Sequence, residues 1–245
     1  MKKRYLYVAA LAALLNFSSC SNSFLDLNPD TAITANTFYK TAEHFDQALV
    51  ASYTAFRSIA QTGIMMDEMR SDNSFYTFYS GDRGPYASTE VLALFLDSGD
   101  PISWIETRYK DNYTCIGRVN TILNRLESSE MTDSEKNAVK AEALFLRAYY
   151  YYLVQHWGGV PLILEEVQNE ADAFKAKSSA EEVYNQIITD LTEAITLGLP
   201  VPSKFPQSGR ATMGAAKMLR AYAYMSQPDR NYPAAEQDLK DITKM

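Results

Sequence analysis

The sequence predicts an all-α protein of tetratricopeptide-like helix pairs, interrupted by one long irregular loop rich in aromatic residues. Three observations carry this. Apolar residues recur at three- and four-residue intervals in five or more stretches, and no stretch shows sustained apolar–polar alternation. Helix punctuation bounds these stretches. Thr132 and Glu135 stand at capping-box spacing, Ser178 and Ser179 each precede a Glu by three residues, and Gly158-Gly159 with Pro161 reads as a stop. Finally, Phe145–Tyr151 aligns with Met218–Tyr224 at an offset of 73 residues (218 − 145), an internal echo that matches the first helices of two successive helix pairs. Such pairs bury their core against neighbours and need several copies.

The 245 residues, 47% hydrophobic and 22% charged, fit a globular protein of one or two domains. The net charge of −7 argues against nucleic acid as a partner.

Residues 1–19 read as a leader. Lys2, Lys3 and Arg4 form a basic head, and Tyr5 to Leu15 is an apolar run too short to span a bilayer. The small residues before Cys20 in Phe17-Ser18-Ser19-Cys20 resemble a lipoprotein cleavage site, which makes Cys20 the acylated N-terminus. The other cysteine, Cys115, falls in a helical pattern and reads as a small buried hydrophobe. No disulfide framework, metal-spaced pair or cofactor is implied.

Residues 20–40 are a lipidated tether ending in a docking segment, and 41–245 the helical repeat region. A first helix spans roughly Thr41 to Ala60, with Phe45, Leu49, Tyr53, Phe56 and Ile59 as its stripe. Residues 71–101 form the loop insertion, with Leu92 to Leu96 as a short helix or strand within it. A second long helix opens near Pro101 and runs to Leu126. The central helix, Asp133 to Trp157, carries Ala138, Ala141, Leu144, Phe145, Ala148, Tyr149, Tyr152 and Leu153 on one stripe, and its four tyrosines from Tyr149 to Tyr152 require cover on more than one side. A long link, 158–177, precedes a helix from Ser178 or Ser179 that closes at Gly198. After a proline-rich connector, Gly209-Arg210-Ala211-Thr212 opens the next helix. The last begins near Pro233 and is still running at Met245.

The run Ala143-Leu144-Phe145-Leu146-Arg147-Ala148-Tyr149-Tyr150-Tyr151 with Gly159-Val160-Pro161-Leu162 resembles the SusD/RagB family. Phe24 to Pro29, Met69 to Asn73, Trp104 and Asn120 add to the likeness. The resemblance implies a lipid-anchored, surface-exposed, nutrient-binding protein of the outer membrane that sits as a lid on a SusC-like TonB-dependent transporter. Family members are about twice as long, so the resemblance implies the N-terminal half of such a protein or a truncated product.

No phosphate-cradling loop, zinc-protease helix or nucleophile elbow occurs. His44 and His156 lack recurrent partners and read as structural. The adjacent acids Asp67-Glu68 and Glu165-Glu166 read as solvated, and the tyrosine runs, Tyr222 and Tyr224 included, as core. The aromatic loop is the candidate ligand site. Sugars lay C–H faces on rings while polar side chains take the hydroxyls, and Asp72, Asn73, Tyr76, Tyr79, Arg83, Tyr86 and Trp104 offer that mixture. The family's starch-binding members place part of their platform just after the Asp-Asn segment. The expected function is delivery of a nutrient, oligosaccharide above all, to the transporter. A repeat-based envelope scaffold that binds only proteins is the alternative, and an anchored hydrolase is third.

Overall fold

The computed structural model describes residues 38–74, 81, 87–95, 103–155, 158–201 and 209–245. The leader, Cys20 and the tether up to residue 37 therefore lie outside the described residues. Among those described there is no strand. The helices are α1 (Ala42–Tyr53), α2 (Ala55–Met66), α3 (Ala87–Ala93), α4 (Ser103–Leu126), α5 (Asp133–Val154), α6 (Glu170–Ala173), α7 (Ala180–Leu197), α8 (Met213–Ser226) and α9 (Tyr232–Ile242).

They form three hairpins. The first pairs α1–α2 with α4, the second α5 with α7, and the third α8 with α9. Each following hairpin enters between its predecessors: α5 packs on α4 and α1, and α8 on α7 with a lighter contact to α5. This is the nearest-neighbour logic of a helical repeat. Long insertions separate the two helices of the first and second hairpins.

The echo between Phe145–Tyr151 and Met218–Tyr224 has a chemical content. Arg147 on α5 forms a two-pronged ion pair with Asp190 on α7, at 2.8 Å for both Nε and Nη2. Arg220 on α8 does the same with Asp238 on α9, at 2.8 and 2.6 Å. The aligned alanines, Ala148 and Ala221, are fully buried and let the paired helices approach.

The caps fall where the sequence placed them. Thr132–Glu135 and Ser179–Glu182 are both complete capping boxes, and Gly198 closes α7 in the left-handed conformation. Of the two candidate serines it is Ser179 that caps. Cys115 is buried, as expected.

Several expectations are corrected. The first helix is two, broken at Thr54 and continuing past Ala60 and Gly63 to Met66. At the break, side chains take carbonyls that a straight helix would use. Thr54 Oγ1 and Arg118 Nη1 donate to Ala51 O at 2.7 and 2.9 Å, and the Tyr150 hydroxyl donates to Ser52 O. The short element in the loop insertion is α3, placed earlier than Leu92–Leu96. The link after α5 contains a one-turn helix, α6, with its own Asn169–Asp172 capping box.

On α5 the stripe is rotated. Ala141, Leu144, Phe145 and Ala148 are buried, but Ala138 is exposed and Tyr149, Tyr152 and Leu153 are half-buried. Tyr150, Tyr151 and Val154 are the fully buried residues instead, because α1, α4 and α7 cover the helix from three sides. Tyr222 is exposed rather than core, since it lies on the outer face of α8. The last helix stops at Ile242, where Thr243, Lys244 and Met245 turn back onto Leu239, Asp241 and Ile242 carbonyls.

The link after α5 is extended yet pairs with no strand. Side chains satisfy its backbone instead: Tyr113 donates to Pro161 O at 2.7 Å, Asn120 and Tyr151 to Ile163 O at 2.7 and 2.8 Å, and Arg147 to Leu164 O at 3.0 Å. Gly159 allows the entry. Its φ is +93°, and a Cβ there would lie 2.1 Å from the Ser178 carbonyl oxygen.

Two measurements check this account. Arg147→Ala leaves Asp190 buried without its partner and should cost about 3–5 kcal/mol in urea unfolding. Arg220→Ala should cost less, because its pair is nearer the surface; equal and small losses would contradict the account. Gly159→Ala should lower stability by about 1–3 kcal/mol through backbone strain, with the clash in addition. Gly158→Ala, with positive φ but open space, should lower it less in thermal melts.

Candidate functional site

The candidate site is a cavity of about 470 Å³ on the first hairpin, lined by Met69 to Ser74 on one side and Ala93, Leu94 and Phe95 on the other. That volume lies in the range of small-molecule sites. The first wall follows α2. A single 3₁₀ turn, Glu68–Arg70, reverses the chain and Ser71 closes it, its hydroxyl donating to Glu68 O at 2.8 Å and accepting from Asn73 N at 3.2 Å. Arg108 on α4 is buried and reaches Asp67 at 3.1 Å, which pins the turn to the helix behind it. The pair Asp67-Glu68 is exposed, as expected, but Asp67 also anchors the turn through Arg108. Tyr149 lies close enough to feel both charges. Burial raises its phenol above the ordinary range, with Arg108 opposing and Asp67 adding.

The second wall is the end of α3, which packs on α2 and the 3₁₀ turn. Leu92 is buried and holds the helix down, while Leu94 and Phe95 face outward. The Arg70 guanidinium lies over the Phe95 ring, 4.3 Å from its centroid.

Of the candidate residues, the structure brings Asp72 and Asn73 to this cavity, both exposed. Trp104 sits in the first turn of α4, half-buried, and is not among the lining residues. Tyr76, Tyr79, Arg83 and Tyr86 lie outside the described residues. Arg70 and Phe95 also line this cavity. Arg70 stood inside the segment singled out around Asp72, but Phe95 carried no local signal, because its exposure follows from where α3 ends.

A second cavity, of about 290 Å³, lies between α1 and α5 beside Arg210. Arg210 grips Glu142 at 2.7 and 2.8 Å and also pairs with Asp46, while Tyr53 donates to Glu142 at 2.6 Å and accepts from Ala211 N at 2.9 Å. These groups satisfy one another and hold the connector before α8 against the first hairpin. Likewise Glu166 is not solvated: Arg125 binds it in a fork at 2.8 and 3.0 Å. Among the described residues no cluster of His, Cys, Asp and Glu could hold a metal ion, and no helix is long and apolar enough to cross a membrane.

Residues 23–226 match the family model SusD-like_3, described as starch-binding and associating with the outer membrane. A SusD-like protein of Bacteroides ovatus is 28% identical over 236 residues, covering 94% of this chain and 40% of its own length. The starch-binding protein SusD of Bacteroides thetaiotaomicron is 27% identical over 244 residues, 92% of this chain and 42% of its own. Among solved structures, a SusD superfamily protein from Bacteroides vulgatus superposes with a TM-score of 0.72 at 27% identity, over 84% of this chain and 44% of that one. The chain thus spans about 40% of the length of these curated relatives.

Proposed function

The chain belongs to the SusD-like family, and on that premise we propose that it is a surface-exposed lipoprotein that binds a nutrient glycan and passes it to a SusC-like TonB-dependent transporter. The observation that carries this reading is the cavity between the Met69–Ser74 turn and the end of α3, where exposed Asp72 and Asn73 stand beside an open aromatic ring. Carboxylate and amide groups take sugar hydroxyls, and rings take the C–H faces. The polar–aromatic loop that continues from it supplies Tyr76, Tyr79, Arg83 and Tyr86 as further contacts, with Trp104 at its far end.

In this proposal residues 1–19 are the signal peptide, Cys20 carries the lipid, 20–40 is the tether with its docking segment, and 41–245 is the repeat region with its insertion at 71–101. Delivery is a binding function, and among the described residues the site presents hydrogen-bonding groups and a ring.

Two experiments test it. Mass spectrometry of the mature protein should find an acylated Cys20 as the N-terminus; an N-terminus elsewhere would remove the lipoprotein reading. Calorimetry and ligand-observed nuclear magnetic resonance of residues 20–245 against a glycan panel should find at least one oligosaccharide bound. A site this open should give a Kd near millimolar, about −4 kcal/mol. Retention by the transporter with no glycan bound would favour the protein-binding scaffold instead.

A further inference from the structure

From Cys20 onward the sequence carries no lysine or arginine until Lys40. The peptide bond after Lys40 is therefore the first one past residue 20 that a protease reading a basic side chain could cut. In the fold that bond is held on both sides. The Lys40 carbonyl accepts from Glu130 N, in the turn between α4 and α5, at 3.1 Å, and the Lys40 amide donates to His44 Nδ1 at 3.4 Å. Thr41, across the bond, caps α1, its hydroxyl accepting from His44 N at 3.4 Å.

Tyr39 locks this arrangement. Its φ is +54°, a left-handed conformation that a bulky residue keeps only when its surroundings impose it. Its ring meets the fully buried ring of Phe45 edge to face, with centroids 5.5 Å apart. Its phenol feels both charges of the Arg125–Glu166 fork. Burial raises it above the ordinary range, with Glu166 adding and Arg125 opposing. Helix α1, the end of α4, the α4–α5 turn and the link thus converge on residues 39–41. Proteases cut exposed chain that can lie extended in their cleft. A left-handed residue on one side of the bond and a capped helix start on the other deny that shape, so cutting must wait for a local opening.

We propose that Tyr39, Lys40 and Thr41 form a clamp that fastens the tether to the repeat region and shields the tether's one trypsin-type cleavage site, which keeps the protein from being shed. The consequence for shedding rests on the reading of residues 20–40 as a lipidated tether. The shielding itself is tested without the lipid.

Trypsin digestion of residues 20–245 under native conditions, followed by mass spectrometry, reads the rate of cutting after each basic residue. In Thr34→Lys, which leaves the clamp unaltered, cutting after position 34 should outpace cutting after Lys40 at least about tenfold. Tyr39→Ala should raise the rate after Lys40 at least about tenfold, because cutting follows the population of the opened form, while cutting after Lys140 within α5 stays slow. Tyr39→Phe should keep the protection. Equal rates after positions 34 and 40 overturn the clamp, and so does an unchanged rate after Lys40 in Tyr39→Ala. A rise after Lys140 that matches the rise after Lys40 overturns it too, since that is global unfolding rather than local release. On vesicles, the acylated full-length protein should shed no fragment beginning at Thr41 under trypsin, and its Tyr39→Ala variant should shed it. Failure to recover any acylated chain removes the lipoprotein reading and leaves the clamp to be judged by the digests.

Discussion

The structure depends most on one buried charge. Arg147 sits on the central helix with its side chain 9% exposed, opposite an Asp190 side chain that is 2% exposed. Two ions this far from water are tolerated when further hydrogen bonds satisfy them. Four of the five guanidinium N–H groups are used: Arg147 also reaches Asn120 on α4 at 3.2 Å and Leu164 O on the link, while Gln186 binds Asp190 at 2.8 Å. One guanidinium therefore sets the register of α4, α5, α7 and the extended link at once. Burial works against the cation while the aspartate favours it, and the partner wins: the guanidinium is held even more firmly protonated than usual. A misplaced helix would strand a charge, so the interaction selects one packing as well as supporting it.

The same device, repeated at Arg220 and Asp238, explains how a repeat fold accepts long insertions. Helices are tied to their hairpin partners by a fork that does not depend on the length of the connection. The pairs are separated by 43 residues in one hairpin and 18 in the other, yet the geometry is alike. Chain added between the helices is then free to do something else. In the second hairpin it becomes a link zipped onto α4 and α5 by Tyr113, Asn120, Tyr151 and Arg147. In the first hairpin, which this fork does not tie, the added chain forms the walls of the candidate cavity.

That cavity inherits its rigidity from the scaffold behind it. The Asp67–Arg108 pair ties the reversing turn to α4, and α3 is seated by buried Leu92. Asp72, Asn73 and Phe95 project from those fixed points into solvent.

The sequence by itself determined the helical class, the repeat, the caps at Thr132 and Gly198, a cap at Ser178 or Ser179, and the burial of Cys115. These are local matters: spacing of apolar residues, side chains within three residues of an amide, glycine at a left-handed turn. It also held Arg147 and Arg220 in plain view as an aligned pair without revealing their partners. An ion pair across 43 residues of chain has no local pattern. Tertiary structure alone decided which tyrosines of the run face inward, because rotation of α5 is set by neighbours on three sides rather than by its own stripe. It decided the break at Thr54, where Arg118 and Tyr150 arrive from distant helices to take Ala51 and Ser52 carbonyls. It decided Phe95 as well: whether an aromatic at a helix end is buried or exposed depends on what else packs there, and only the folded chain fixes that.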